Sequence, residues 1–444
     1  MREAKRTSAP GEDGINAWLW NLALVEEQNT EVKPITDAVL VFLDSIMDSA
    51  TLPDTTVIVS LIKKKEEENP TFKNLRPISL QAGLLKVLTK ILATRLADIL
   101  GQHHTLNLAQ EGFVKGGSIQ NCMHAFANMI DTAAVEGRDL LTAQYDLSQA
   151  YDRVSWLALT HALRRLSVPF PFIRLITSLL SSTELKFLTA FGLSDGVKPS
   201  RSVPQGDPIA PLLFVITIDP LFDALDSLKA GFAHLSQQPG PVARTPAKAY
   251  ADDISTYSDS PAGMLAQHEL IVAFFDTLDI PLNFNKTVLI CTETRARGPN
   301  LTDTQLLLRN PAKGNALDRV PITPADEAVR YLGFWPTLTQ SMSVEIDKVT
   351  KKLTFLLSMA QMARLPRTHC ACSSTHTCTQ CWNTISLSST FPQKLFWPGT
   401  LKWPGRSPAQ CARAWERASN RQQWQSCLTF TCPPRGSWGR TTQI

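Results

Sequence analysis

Three aspartates restrict the fold of this 444-residue chain more than any other feature. Asp146 closes a segment with the strand period of two: Leu141, Ala143 and Tyr145 share one face, and Thr142, Gln144 and Asp146 the other. Ala247 to Tyr257 is again extended, with Asp252-Asp253 at its centre as in a tight hairpin. If the two elements pair in one sheet, the three acids meet at its end. Oxygen-only donors of this kind suit hard divalent cations, which bind carboxylates and carbonyls rather than His or Cys clusters. A pair of such ions about 3.5 to 4 Å apart is what nucleotidyl transfer requires. An Asp-Asp pair alone is more often a solvated turn, so the rest of the chain has to decide.

The remaining pattern is mixed. Ile35 to Met47 is read as a helix, with Val39, Leu40, Phe42, Leu43 and Ile46 on its apolar stripe. Val57, Ile58, Val59, Leu61 and Ile62 are β-prone and run into Lys63-Lys64-Lys65-Glu66-Glu67-Glu68-Asn69-Pro70, a charged turn able to close a hairpin. Gln81 to Leu100 is helical, with Leu84, Leu85, Leu88, Ile91, Leu92 and Leu96 at steps of three and four. A second helix is expected from about Ser148 through Leu166. A third is expected to open at Gly206-Asp207-Pro208, with Asp207 as its N-cap.

Composition adds bounds rather than identity. With 43% hydrophobic residues the chain can bury a large core, and a formal charge of +4 permits nucleic acid as a partner without arguing for it. The charged start and the lack of an apolar run of about 18 residues predict neither signal peptide nor membrane span, and so an intracellular chain. Seven of nine cysteines lie after residue 369, which leaves the body with the cysteine usage of a reduced compartment.

Several stretches taken together carry a resemblance. Asn74-Leu75-Arg76-Pro77-Ile78-Ser79-Leu80, Asp146-Leu147-Ser148-Gln149-Ala150-Tyr151-Asp152, Pro204-Gln205-Gly206-Asp207-Pro208 and Tyr250-Ala251-Asp252-Asp253 resemble, in kind and order, the motifs of reverse transcriptases of non-LTR (LINE-like) retrotransposons. Ala9 to Gly14, Gln110-Glu111-Gly112-Phe113 and Tyr331-Leu332-Gly333 extend it over roughly residues 8 to 340. The resemblance implies an α+β right-hand polymerase: fingers and palm, an antiparallel palm sheet backed by helices, a truncated thumb and an irregular C-terminal tail. The expected division is 1–50 as an N-terminal helical extension, 51–340 as the reverse transcriptase domain, 341–366 as the start of the thumb and 367–444 as tail.

Roles follow position by position from the resemblance. Asp146 and Asp252 would bind both of two Mg2+ ions, with Mn2+ as the alternative metal; Asp253 would complete the triad, and the carbonyl of Leu147 would be a further ligand. Tyr151 would select deoxynucleotides at the sugar. Lys65 and Arg76 would contact the triphosphate, and Gln205 and Gly206 would lie under the template and incoming nucleotide. Lys286 would protonate the leaving pyrophosphate, and Leu332-Gly333 would form the primer grip. The implied partners are an RNA template, a DNA primer or target and deoxynucleoside triphosphates, and the family implies a nuclear site of action. Gly117 stands where the family usually carries an arginine.

The implied function is RNA-directed DNA synthesis from a primer 3′ end. The alternatives are a decayed element fragment that only binds nucleic acid and a group II intron-type maturase, the latter disfavoured by the wording of the Arg76 block. No endonuclease or RNase H pattern flanks the motifs, so the chain reads as a fragment. In the tail, Cys370, Cys372, Cys378 and Cys381 with His369 and His376 lack the paired spacing of a zinc site. Out-of-frame, largely disordered sequence is the reading favoured there.

Overall fold

The computed structural model describes residues 9–26, 31–50, 52, 55–63, 75–234, 242–292, 305–339 and 343–362, all within the first of the chain's two compact units, Met1–Leu387. Lys65 and the charged turn around it, and the cysteine-rich tail, lie outside the described residues.

Two helices open the fold, α1 (Ala17–Glu26) and α2 (Pro34–Ser49), followed by a hairpin of β1 (Thr55–Lys63) and β2 (Leu75–Leu80). Next come α3 (Gly83–His103), α4 (Ile119–Glu136), β3 (Leu141–Tyr145), α5 (Trp156–Arg165) and α6 (Phe170–Ser181). A second hairpin, β4 (Thr183–Thr189) and β5 (Gly192–Leu193), leads to α7 (Ala210–Ser227). The short pair β6 (Phe232–His234) and β7 (Ala243–Thr245) precedes the hairpin of β8 (Ala247–Tyr250) and β9 (Asp253–Ser258). Then follow α8 (Pro261–Thr277), β10 (Val288–Cys291), β11 (Leu307–Asn310), β12 (Ala316–Arg319), β13 (Ile322–Thr323) and α9 (Ser343–Met362).

Two sheets matter for the site. One has the order β2-β1-β4-β5, the other β13-β10-β3-β9-β8. In the second sheet β3 is central and antiparallel to both neighbours, with Tyr145 opposite Ile254 and Gln144 opposite Val288. Every residue of β3 is buried, because helices cover the sheet, so its alternation separates two packed faces rather than core from solvent. Behind it α7 buries Leu213, Phe214, Ile216, Leu221 and Phe222, and α8 buries Met264, Ile271 and Phe275. Pro220 lies inside α7, where its missing N–H leaves one helical bond unmade.

The structure departs from the sequence reading in three places. No continuous helix covers 148–166: Tyr151–Arg153 forms one 3-10 turn, Val154 breaks it, and Ser155 starts α5 by accepting the Ala158 N–H. Ser148 N–H there donates to the Pro281 carbonyl, which ties the chain to the loop leading to the neighbouring strand β10. Asp207 is not an N-cap, since α7 starts at Ala210, and its carboxylate instead accepts from the Ile209 amide. On α2 only Leu43 and Ile46 of the apolar stripe are buried, while Leu40 and Phe42 are exposed.

Candidate active site

The β3–β9 pairing brings the acids together. Asp146 follows the last residue of β3; Asp253 opens β9 opposite Tyr250, and Ala251 and Asp252 form the turn. Their coupling is visible in their acidities. Burial, then Asp252 and Asp146, push the Asp253 carboxyl up to about 6, while burial and Asp146 push Asp252 upward against the pull of Arg76 and Lys286. Like charges confined at a half-buried sheet end favour proton uptake, or a cation, over three bare carboxylates.

Asp146 already has cationic company. Lys286 Nζ lies 3.0 Å from both its carboxylate oxygens, and Asn283 Nδ2 donates to Oδ2 at 3.1 Å. The Asn283 amide also donates to the Asp146 carbonyl, so the loop before β10 is laced to the end of β3. Leu147, between these bonds, pairs with Leu282 as an isolated bridge, and its own carbonyl takes no bond among those of the described residues. Asn283 carried no assignment in the sequence reading, because its bonding to Asp146 spans 137 residues.

The donor set fits a hard divalent cation: three carboxylates and a backbone carbonyl, without His or Cys. Among the described residues no three such side chains already converge as a ready-made metal group, and Lys286 holds Asp146. Cations would therefore have to displace the ammonium.

The other predicted residues fall around this end of the sheet. Tyr151 stacks on Phe214 with ring centroids 5.1 Å apart, and burial, with a smaller push from Asp252, raises its hydroxyl to about 12. It stays a neutral phenol at physiological pH. Arg76 is exposed on β2, opposite Ile62, and close enough to Asp252 to lower its pKa. Ser79 on the same strand donates to the Gln205 carbonyl at 2.6 Å. Gly206 sits at φ +109°, and a Cβ there would lie 2.9 Å from the Ser79 carbonyl oxygen. Leu332 and Gly333, both at positive φ, form a two-residue turn closed by reciprocal 2.8 Å bonds between Tyr331 and Phe334. Arg330, just before that turn, lowers the pKa of Asp253 and was not foreseen. Gly117 is explained by space: a Cβ would lie 2.2 Å from the Glu111 carbonyl oxygen, so an arginine does not fit this backbone.

Comparison with known proteins gives the family. The family described as reverse transcriptase (RNA-dependent DNA polymerase) matches residues 62–335, more than half of the chain. The chain belongs to the reverse transcriptase family. Among relatives of this reverse transcriptase domain is a Pol polyprotein from a type-1 R2 retrotransposable element of Popillia japonica, 27% identical over 74% of this chain and 42% of the relative. Another, from Nasonia vitripennis, is 25% identical over 61% of this chain and 24% of the relative. These similarities place the domain with the reverse transcriptases of non-LTR retrotransposons. The chain thus spans less than half the length of either relative. Among solved structures, apo telomerase from Candida tropicalis aligns over 69% of this chain and 59% of that one at 12% identity, with a TM-score of 0.41.

Proposed function

We propose that the chain is the polymerase core of a non-LTR retrotransposon reverse transcriptase, an RNA-directed DNA polymerase that extends a primer 3′ end with deoxynucleotides. The observation that carries this reading is the meeting of Asp146, at the end of β3, with the Asp252-Asp253 turn on the neighbouring strand, close enough for each acid to perturb the next. Two Mg2+ ions, with Mn2+ as a substitute, would supply activation of the primer hydroxyl and stabilisation of the leaving pyrophosphate.

The chain's own residues then have distinct tasks. Asp146, Asp252, Asp253 and the Leu147 carbonyl would hold the cations. Arg76 offers a guanidinium fork to the triphosphate from a strand near enough for its charge to act on Asp252. The ring of Tyr151, fixed against Phe214, stands as a wall beside the nucleotide sugar. The glycine at 206 lets backbone approach the base pair, and the turn at Leu332-Gly333 supports the primer. Were cations to occupy Asp146, Lys286 would be available to donate a proton to the leaving pyrophosphate. We read α9 as the start of the thumb. Positioning and fixed charge do the catalytic work of the protein.

Primer extension by the purified chain on an RNA template, with Mg2+ and deoxynucleotides, tests the reading beside an Asp252→Ala, Asp253→Ala control. Template-dependent incorporation lost in the control is expected. Template binding without incorporation in either protein would leave a binding-only element fragment instead.

A further inference from the structure

The turn that carries Asp252 is held from outside its own hairpin. Gln110 and Glu111 run alongside β8 as a short parallel extension of the sheet: the Ala249 amide donates to the Ala109 carbonyl at 2.8 Å, and the Glu111 amide donates to the Ala249 carbonyl at 2.8 Å. From there the Gln110 side chain, only 3% exposed, reaches the turn. Its Oε1 accepts from the Ala251 amide at 2.8 Å and from the Gly112 amide at 2.8 Å, and its Nε2 donates to the Ala251 carbonyl at 3.3 Å.

Ala251 needs this support. Its φ of +56° lies in the left-handed region, where a side chain is tolerated only when the surroundings over-determine the backbone. One carboxamide binds both polar groups of that residue. The neighbouring Gly112 comes so close that a Cβ on it would lie 2.3 Å from the Ala251 nitrogen. The clamp is anchored in turn by Glu111, whose carboxylate accepts from Lys248 at 3.0 Å and from Asn121 at 2.7 Å. Nothing in Gln110 reaches a reacting atom. Besides the Gly112 amide, what its side chain binds is the Ala251 backbone that carries Asp252 and Asp253.

We propose that Gln110 is a positioning residue for the Asp252-Asp253 turn, fixing the left-handed Ala251 so that both carboxylates are presented to divalent cations in one geometry. The proposal rests on the polymerase reading only for what the presented cations do.

The test compares the full chain with Gln110→Met, which keeps nearly the same volume but no hydrogen bond, and with Gln267→Met. Gln267 is fully buried and donates to the Tyr257 carbonyl on the same strand β9, so its loss disturbs the hairpin far from the turn. Mn2+ binding is followed by electron paramagnetic resonance of the free ion, with Asp252→Ala, Asp253→Ala defining site-specific binding, and single-nucleotide extension is measured in parallel. Gln110→Met is expected to weaken Mn2+ binding roughly tenfold, the low end of what loss of a ligand's supporting contact costs. In extension, kcat should fall while KM for the nucleotide stays unchanged. Gln267→Met should leave Mn2+ affinity as in the wild type. Should Gln110→Met not fold, Gln110→Asn, too short to reach both amides, takes its place with the same expectation. Unchanged Mn2+ affinity in the Gln110 variant, an equal loss in Gln267→Met, or no site-specific Mn2+ binding by the wild type overturns the proposal. Site-specific Mn2+ binding without incorporation by the wild type would defeat the polymerase reading alone.

Discussion

Lys286 is where the site's charge balance is most exposed to test. Its ammonium lies 3.0 Å from both oxygens of Asp146 but is 64% exposed, so the pair is a screened one of about 1 kcal/mol at most. Because it competes with cations for Asp146, Lys286→Met is expected to tighten Mn2+ binding by up to about fivefold, the weight of that pair. Single-turnover extension should slow at the same time, since the proton donor is gone. Affinity unchanged or weakened would show that the lysine does not compete. Asp253 carries the pH dependence. Its carboxyl is pushed up to about 6 in the fold by burial and by Asp252 and Asp146, so the stability it contributes is full below its unfolded pKa and is lost as pH rises through about 6. In EDTA, Asp253→Asn should therefore melt higher than wild type at about pH 7 and no higher at about pH 4, and saturating Mg2+ should abolish the advantage. A variant that melts lower throughout would remove repulsion as the cause. At this scale the acids were legible, because strand alternation and the Asp-Asp doublet are local signals. The contacts of Gln110, noted only as part of a motif, and of Asn283 were not, because what they grip lies 141 and 137 residues away.

At the level of elements, the junction between β2 and the loop before α7 fixes the strand that carries Arg76. Ser79 holds the Gln205 carbonyl, and one residue beyond β2 the Gln81 amide donates to the Asp207 carboxylate at 2.6 Å, both groups 2% exposed. Gly206 lies between these two bonds. Gly206→Ala would force a side chain into φ +109° and against Ser79, at a cost of about 1 to 3 kcal/mol. A lowered urea midpoint with an unchanged m-value, and a KM for nucleotide raised more than kcat is lowered, are the expected results. Wild-type stability and KM would dismiss the junction as a constraint. Sequence patterns located this loop but misjudged its capping. Asp207 has the residue type of an N-cap, yet Gln81, distant in the chain, claims one of its oxygens, and α7 begins beyond it. The helix expected from Ser148 failed for a related reason. Local propensity there is overridden by the Ser148 to Pro281 bond, which joins the chain to the loop before the neighbouring strand β10.

For the molecule as a whole, charge sets how the site can meet nucleic acid. Forty-four basic residues against forty acidic ones leave only +4, and several surface cations are already paired, among them Arg153 and Arg201 with Asp279 and Lys115 with Asp98. Attraction for a polyanion therefore has to come from a local set, and around the acids the described residues offer Arg76, Arg330 and Lys286. The three carboxylates oppose it until cations arrive, so template-primer should bind more tightly with Mg2+ than in EDTA at equal ionic strength. Counterion release makes the contribution of each arginine countable. If Arg76 and Arg330 each neutralise one phosphate, Arg76→Ala and Arg330→Ala should each reduce the slope of log affinity against log salt by about 0.7 to 0.9, and the double variant by about twice that. Affinity that falls with the slope unchanged would mean that neither arginine touches the backbone, and that their proximity to Asp252 and Asp253 serves to balance the acids rather than to hold the substrate.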